Sequence, residues 1–146
     1  MPRDSFVHAA TTTASRPDVW AALQEPQTWE GIGGVDRVYN PVVDSDGQLR
    51  GFDFDTVVAG KPYVGKATPH NREEGRTMAW NIENSEIRGI TQIELSDHQG
   101  GTEVTVSLEV ESKGLLSTIF FGAITKTIGS GLPRTVEEFA RSLGPC

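Results

Sequence analysis

Apolar and polar positions change places one for one along most of this chain. Phe52 and Phe54 alternate with Asp53 and Asp55, Met78, Trp80 and Ile82 with Ala79, Asn81 and Glu83, and Val104, Val106, Leu108 and Val110 with Thr105, Ser107 and Glu109. A period of two marks strands with one face in a core and the other in water. Turn-forming clusters divide these runs into seven predicted strands at residues 6–13, 35–43, 49–59, 63–72, 76–84, 87–96 and 102–112. The connections Asp44-Ser45-Asp46-Gly47, Gly60-Lys61-Pro62, Glu73-Glu74-Gly75 and Asp97-His98-Gln99-Gly100-Gly101 are short, as antiparallel neighbours require.

Two stretches change the period from two to about 3.6. Ser15 reads as an N-cap, with Pro17 in the first turn and Asp18 placed for the reciprocal half of a capping box. Val19, Trp20 and Leu23 form one apolar face, and Pro26 stops this helix after about Gln24, before a short second turn carrying Trp29. Trp20 and Trp29 are read as core residues first and ligand contacts second. From residue 114 to 143, Leu116, Ile119, Phe120, Ala123, Ile124 and Ile128 and then Val136, Phe139, Ala140 and Leu143 recur at helical spacing, while Glu137, Glu138 and Arg141 mark an exposed face. Gly129, Gly131 and Pro133 interrupt this pattern and predict a kink or two consecutive helices. A sheet with one apolar face must cover it, and only this last segment is large enough. The expected architecture is α+β: a seven-stranded antiparallel curved sheet wrapped around a long C-terminal helix, with two short helices after the first strand.

Composition narrows the function classes. At 146 residues the chain fits one domain. A net charge of −7, with the 13 Lys and Arg scattered, argues against nucleic acid and anionic lipid surfaces as partners. The segment 115–132 is barely long enough for a membrane span and carries Lys126, several hydroxyl side chains and glycines, so stable membrane insertion is not expected. Cys146 is the only cysteine, which leaves no intrachain disulfide and no thiol-based metal cluster. With no secretory leader pattern and no Asn-x-Ser/Thr acceptor, a cytoplasmic setting is expected.

The order of strand, two short helices, six strands and long helix, together with Ala14-Ser15-Arg16-Pro17-Asp18-Val19-Trp20 and the downstream Trp29, resembles the START-like helix-grip superfamily (SRPBCC). Its members include polyketide cyclase/dehydrase-type proteins, lipid-transfer START domains and plant pathogenesis-related proteins. The resemblance spans essentially the whole chain, 1–146, as one domain, and its signals are those of pattern and order. It implies a cavity between the concave sheet face and the C-terminal helix, used in the family for lipids, sterols, polyketides or other apolar rings. Here Phe52, Phe54, Met78, Trp80, Val106 and Leu108 would line the sheet side and Phe120, Ile124 and Ile128 the helix side, aromatic and thioether surfaces suited to a flat or elongated ligand. The same side chains would also serve to fill a solid core.

Candidate chemistry is sparse, and no catalytic set is assigned. His70 in the fourth strand and His8 in the first have the pKa range of a general base, but a lone strand histidine is more often a surface residue; His98 falls in a turn. Asp53 and Asp55 share one side of a strand, as paired carboxylates must, and the alternation puts that side in water; a register shift of one would bring them inward. Tyr39, Tyr63 and Asn81 are candidate polar anchors of undetermined face. The Gly31-Ile32-Gly33-Gly34 cluster lacks the strand-turn-helix context of a phosphate loop, and no His-x-x-x-His or nucleophile elbow occurs. The expected function is to bind or carry a small hydrophobic ligand (lipid, sterol-like, polyketide or aromatic), with no cofactor. The alternatives are a polyketide cyclase/dehydrase-like enzyme acting in the same cavity and a protein-interaction module.

Overall fold

A computed structural model describes residues 3–32, 36–58, 61–113 and 118–143, without the side chains of residues 31, 32, 58, 61, 118–120, 123, 124 and 127–129. Strand β1 (Arg3–Thr12) leads into helices α1 (Arg16–Ala22) and α2 (Thr28–Ile32). Six further strands follow: β2 (Arg37–Val43), β3 (Leu49–Val58), β4 (Lys61–Glu73), β5 (Thr77–Asn84), β6 (Ile87–His98) and β7 (Gly101–Ser112). Helix α3 (Thr118–Leu143) closes the chain. The strands form one antiparallel sheet in the order β1-β7-β6-β5-β4-β3-β2, so the first strand closes against the last.

Local chemistry accounts for the short helices. Ser15 caps α1 with its hydroxyl, accepting from the Asp18 amide at 3.3 Å, with a proline in the first turn. Val19 and Leu23 carry the buried stripe of this segment. Trp29 on α2 is fully buried and donates its indole N–H to the Leu23 carbonyl at 3.0 Å, tying the two helices together.

The register gathers the apolar set on one face. Phe6, His8, Ala10 and Thr12 of β1 lie opposite Leu108, Val106, Val104 and Thr102 of β7. Phe52 and Phe54 of β3 lie opposite Ala67 and Gly65 of β4. The strand ladder slips between Pro69 and Arg72, a bulge placed where proline has no amide to donate. Gly65 is set by close approach: a Cβ there would meet the Phe54 ring at 2.6 Å and the Glu83 carbonyl at 2.6 Å, so the missing side chain is the seat of the phenyl ring.

α3 is one continuous helix through Gly129, Gly131 and Pro133, correcting the expected division into two consecutive helices. One proline removes one helical hydrogen bond, and Leu132, Val136 and Ala140, buried on either side of an exposed Pro133, hold the two flanks on the same core. These three join Phe121 in the cluster formed with the sheet.

Charged pairs decorate the opposite, convex face. Glu111 accepts from Arg3 at 3.1 Å and from Arg88, and Lys113 lies 2.8 Å from Glu83. The Arg88 and then the Arg3 hydrogen bonds hold the Glu111 carboxyl below its ordinary value, and the Lys113 bond does the same for Glu83.

Replacing Gly65 with valine is expected to destabilise the protein by about 1–3 kcal/mol in urea unfolding through overpacking against Phe54. A folded-state pKa below the unfolded value of 4.5 gives Glu83 and Glu111 a stabilising effect that is present above that value and lost as pH falls through the lower folded one. Thermal midpoints are therefore expected to drop on acidification from about pH 5 to pH 3, with Glu111→Gln showing a shallower drop.

Candidate functional site

The concave face is built from alternate residues of adjacent strands, as the pleat dictates. Phe52, Phe54, Met78, Trp80, Val106 and Leu108, the sheet-side residues singled out from the sequence, are each at most 4% exposed and belong to one cluster. The helix-side residues Phe120, Ile124 and Ile128 lie outside the described side chains. Among the described side chains of α3, Phe121 and Thr125 are buried, on the stripe continued by Leu132, Val136 and Ala140. Spacings of four and seven among these positions carried that signal, with Phe121 starting a stripe one residue away from Phe120.

Three aromatic rings form the centre. Trp80 meets Phe52 edge-on with centroids 5.3 Å apart and Trp29 edge-on at 5.8 Å, while Trp29 and Phe52 are stacked at 6.3 Å. Such contacts contribute about 0.5–1.5 kcal/mol each beyond area burial and fix ring orientation. Trp29, read from sequence as core, is thus a partner of the proposed lining residues. The Trp80 indole N–H is buried with no hydrogen-bond partner among the described residues. An unsatisfied buried donor costs about 1–3 kcal/mol, so its persistence calls for an explanation.

Arg72 was not singled out from the sequence. It lies beyond the bulge with its guanidinium over the Trp20 ring at 5.2 Å, and it donates to the Leu49 carbonyl at 3.2 Å and to Gln48 Oε1 at 2.8 Å. Burial pulls its pKa below the ordinary arginine value. Gln24 Oε1 also accepts from the Leu49 amide at 3.0 Å, so this cluster knits α1 to β3 and β4.

The acid-base candidates other than His8 stand elsewhere. Asp53 is on the wet side, accepting from Asn40 at 3.0 Å and from Lys66 at 3.2 Å, and these contacts, Asn40 foremost, hold its carboxyl below the usual range. Asp55 accepts the Tyr39 hydroxyl proton at 2.8 Å, a bond that raises the phenol's pKa by stabilising its protonated form. The alternation therefore placed both aspartates correctly, without a register shift. His70 and His98 are exposed. Asn81 donates to the Pro69 carbonyl at 3.3 Å. Tyr63 is half-buried and packs against the core cluster, the one candidate polar anchor that does. His8 lies at the rim, with Nε2 2.9 Å from Glu137 Oε2 of α3.

Among the described residues no three His, Cys, Asp or Glu side chains converge as metal ligands, and no helix is long and apolar enough to cross a membrane. One depression of about 340 Å³ opens on the convex face among Arg3, Arg88, Glu109 and Glu111. Its walls carry the ion pairs described above together with apolar surface from Ile82, Ile90 and Val110.

Neither a protein-family model nor a curated protein sequence matches the chain. Solved structures do. A START superfamily protein from Mycobacterium smegmatis superposes with a TM-score of 0.69 at 11% identity, over 93% of this chain and 96% of that one. The Zhui aromatase/cyclase from Streptomyces sp. R1128 matches with a TM-score of 0.67 at 12% identity, over 92% of each chain. Ara h 8.0201 matches with a TM-score of 0.59 at 15% identity, over 95% of this chain and 98% of the other. With its element order, its strand order and these matches over nearly its full length, the chain has the START-like helix-grip fold.

Proposed function

We propose that this protein binds a small, flat or elongated apolar molecule between the concave sheet face and α3, and holds or carries it out of water. The observation that carries this reading is the division of labour between the two faces. Phe52, Phe54, Met78 and Trp80 give the concave side aromatic and thioether surface, whereas Asp53 and Asp55 make their hydrogen bonds on the other side and His70 is exposed. A surface of that kind takes up apolar ligands by exclusion of water and ring contacts, and orients them with few polar groups. The net charge of −7 and the single cysteine accord with a cytoplasmic carrier.

A second reading, cyclisation of a polyketide in the same place, draws on the likeness to the Zhui aromatase/cyclase. Such chemistry needs a group that moves a proton. Among the described residues Asp53 and His70 stand off the concave face, and His8, which shares the register of Phe6 and Ala10, is engaged with Glu137 of α3, which makes binding the stronger reading.

The test is a titration with 1-aminoanthracene followed by its fluorescence. Saturable binding at one site is expected, about tenfold weaker in Val106→Phe, which adds bulk to the concave face, and unchanged in Val7→Phe, on the exposed side of β1. Circular dichroism checks that both variants fold. Equal weakening by both substitutions, or by neither, would place the probe elsewhere and overturn the reading. Native mass spectrometry of freshly purified wild-type protein gives an independent check, with a copurifying apolar molecule expected.

A further inference from the structure

The three tryptophans are treated differently by the fold. Trp20 donates its indole N–H to Glu74 at 3.1 Å, and Trp29 donates to the Leu23 carbonyl at 3.0 Å. Trp80, 1% exposed and central to the aromatic cluster, donates to no described residue. Its strand neighbours offer an explanation. On one side it faces Pro69, whose carbonyl already accepts from Asn81, at the point where the β4–β5 ladder slips. On the other side it faces Thr91. The edge-on contacts with Phe52 and Trp29 hold the indole plane, so the N–H cannot swing toward another acceptor without breaking both.

We propose that the Trp80 Nε1–H is the polar anchor of the concave face, and that it selects apolar ligands bearing a neutral hydrogen-bond acceptor, a carbonyl or phenolic oxygen on a flat hydrocarbon frame. This rests on the reading of that face as a ligand site and adds to it the chemistry of the ligand. An indole N–H only donates, so the matching group must accept. A carboxylate suits the position poorly, because a buried charge needs a cation. Arg72, the half-buried cation of this part of the sheet, donates through its terminal nitrogens to Leu49, Gln48 and Gln24 and lies over the Trp20 ring; its Nε makes no hydrogen bond to a described residue, but its charge is already met by Glu74 at 3.8 Å. A ketone, quinone or phenol satisfies the donor without that cost, and its ring system meets Phe52 and Met78. Ligands of equal apolar area then differ in affinity by the presence of one oxygen, which hydrophobic contact alone would not distinguish.

The experiment compares two probes of nearly the same shape, 2-acetylnaphthalene and 2-ethylnaphthalene, by calorimetric titration, with each affinity corrected for the probe's octanol-water partition. Wild-type protein is expected to favour the acetyl probe by about tenfold, and Trp80→Phe to bind both alike. A wild-type preference that survives in Trp80→Phe, or no wild-type preference, overturns the anchor while leaving the apolar site standing. Failure of both probes to bind wild-type protein overturns the site itself and the anchor with it. A measurement on unaltered protein guards against a variant that fails to fold. In ¹⁵N-resolved NMR the Trp80 indole proton is expected to move downfield with 2-acetylnaphthalene and not with 2-ethylnaphthalene, while the same response to both probes counts against the anchor.

Discussion

A single antiparallel sheet with one apolar face cannot stand alone in water, and the shape of this protein follows from that constraint. Seven strands place Phe52, Phe54, Met78, Trp80, Ile93, Val104, Val106 and Leu108 together, and only α3 is long enough to lie across them. The helix meets the sheet through one stripe of its surface, so its own sequence is free to be polar elsewhere, as Glu137, Glu138 and Arg141 are. Burial of this kind is roughly proportional to apolar area and has no direction, which lets one helix tolerate Gly131 and Pro133 where local propensity argues for a break.

The two sides of the sheet do different physical work. On the convex side, carboxylates and guanidinium groups meet in water, where such pairs contribute little individually and respond to salt and acid. On the concave side, polar atoms are few, and each has to be satisfied or explained. Thr102 donates to the Ala14 carbonyl at 2.9 Å and Asn84 accepts from the amides of Glu86 and Ile87, so these buried groups complete the turns and strand ends. Trp80 stands apart from them because no described residue accepts from its donor.

The strands were legible because alternation is a local property: the wet placement of Asp53 and Asp55 follows from Phe52 and Phe54 without knowledge of any partner strand. The cap at Ser15 was legible for the same reason. Arg72 was not, because its burial depends on Gln24, Gln48, Leu49 and Trp20, residues from 23 to 52 positions distant that only the bulge after Pro69 brings within reach. The continuity of α3 was hidden because tertiary packing on both sides of Pro133 outweighs a single lost hydrogen bond. The isolation of the Trp80 donor is a property of the whole assembly, since tryptophan in an alternating strand reads only as core. At the level of the site, the sheet positions could be read from periodicity, whereas the burial of Phe121 and Thr125 on the helix was not singled out, because a threonine within a mixed stretch carries little apolar signal.

The pairing of β1 with β7 carries a consequence for how the molecule comes to exist. Arg3 lies opposite Glu111, and every rung of that ladder joins residues about ninety or more positions apart. A growing chain leaving the ribosome therefore exposes β1, with its half-apolar edge, through the synthesis of all the other strands before its partner appears. The meander from β2 to β7 has neighbours available as it emerges, so closure of the sheet is expected to be a late, slow event in folding and the period of greatest exposure to misassociation.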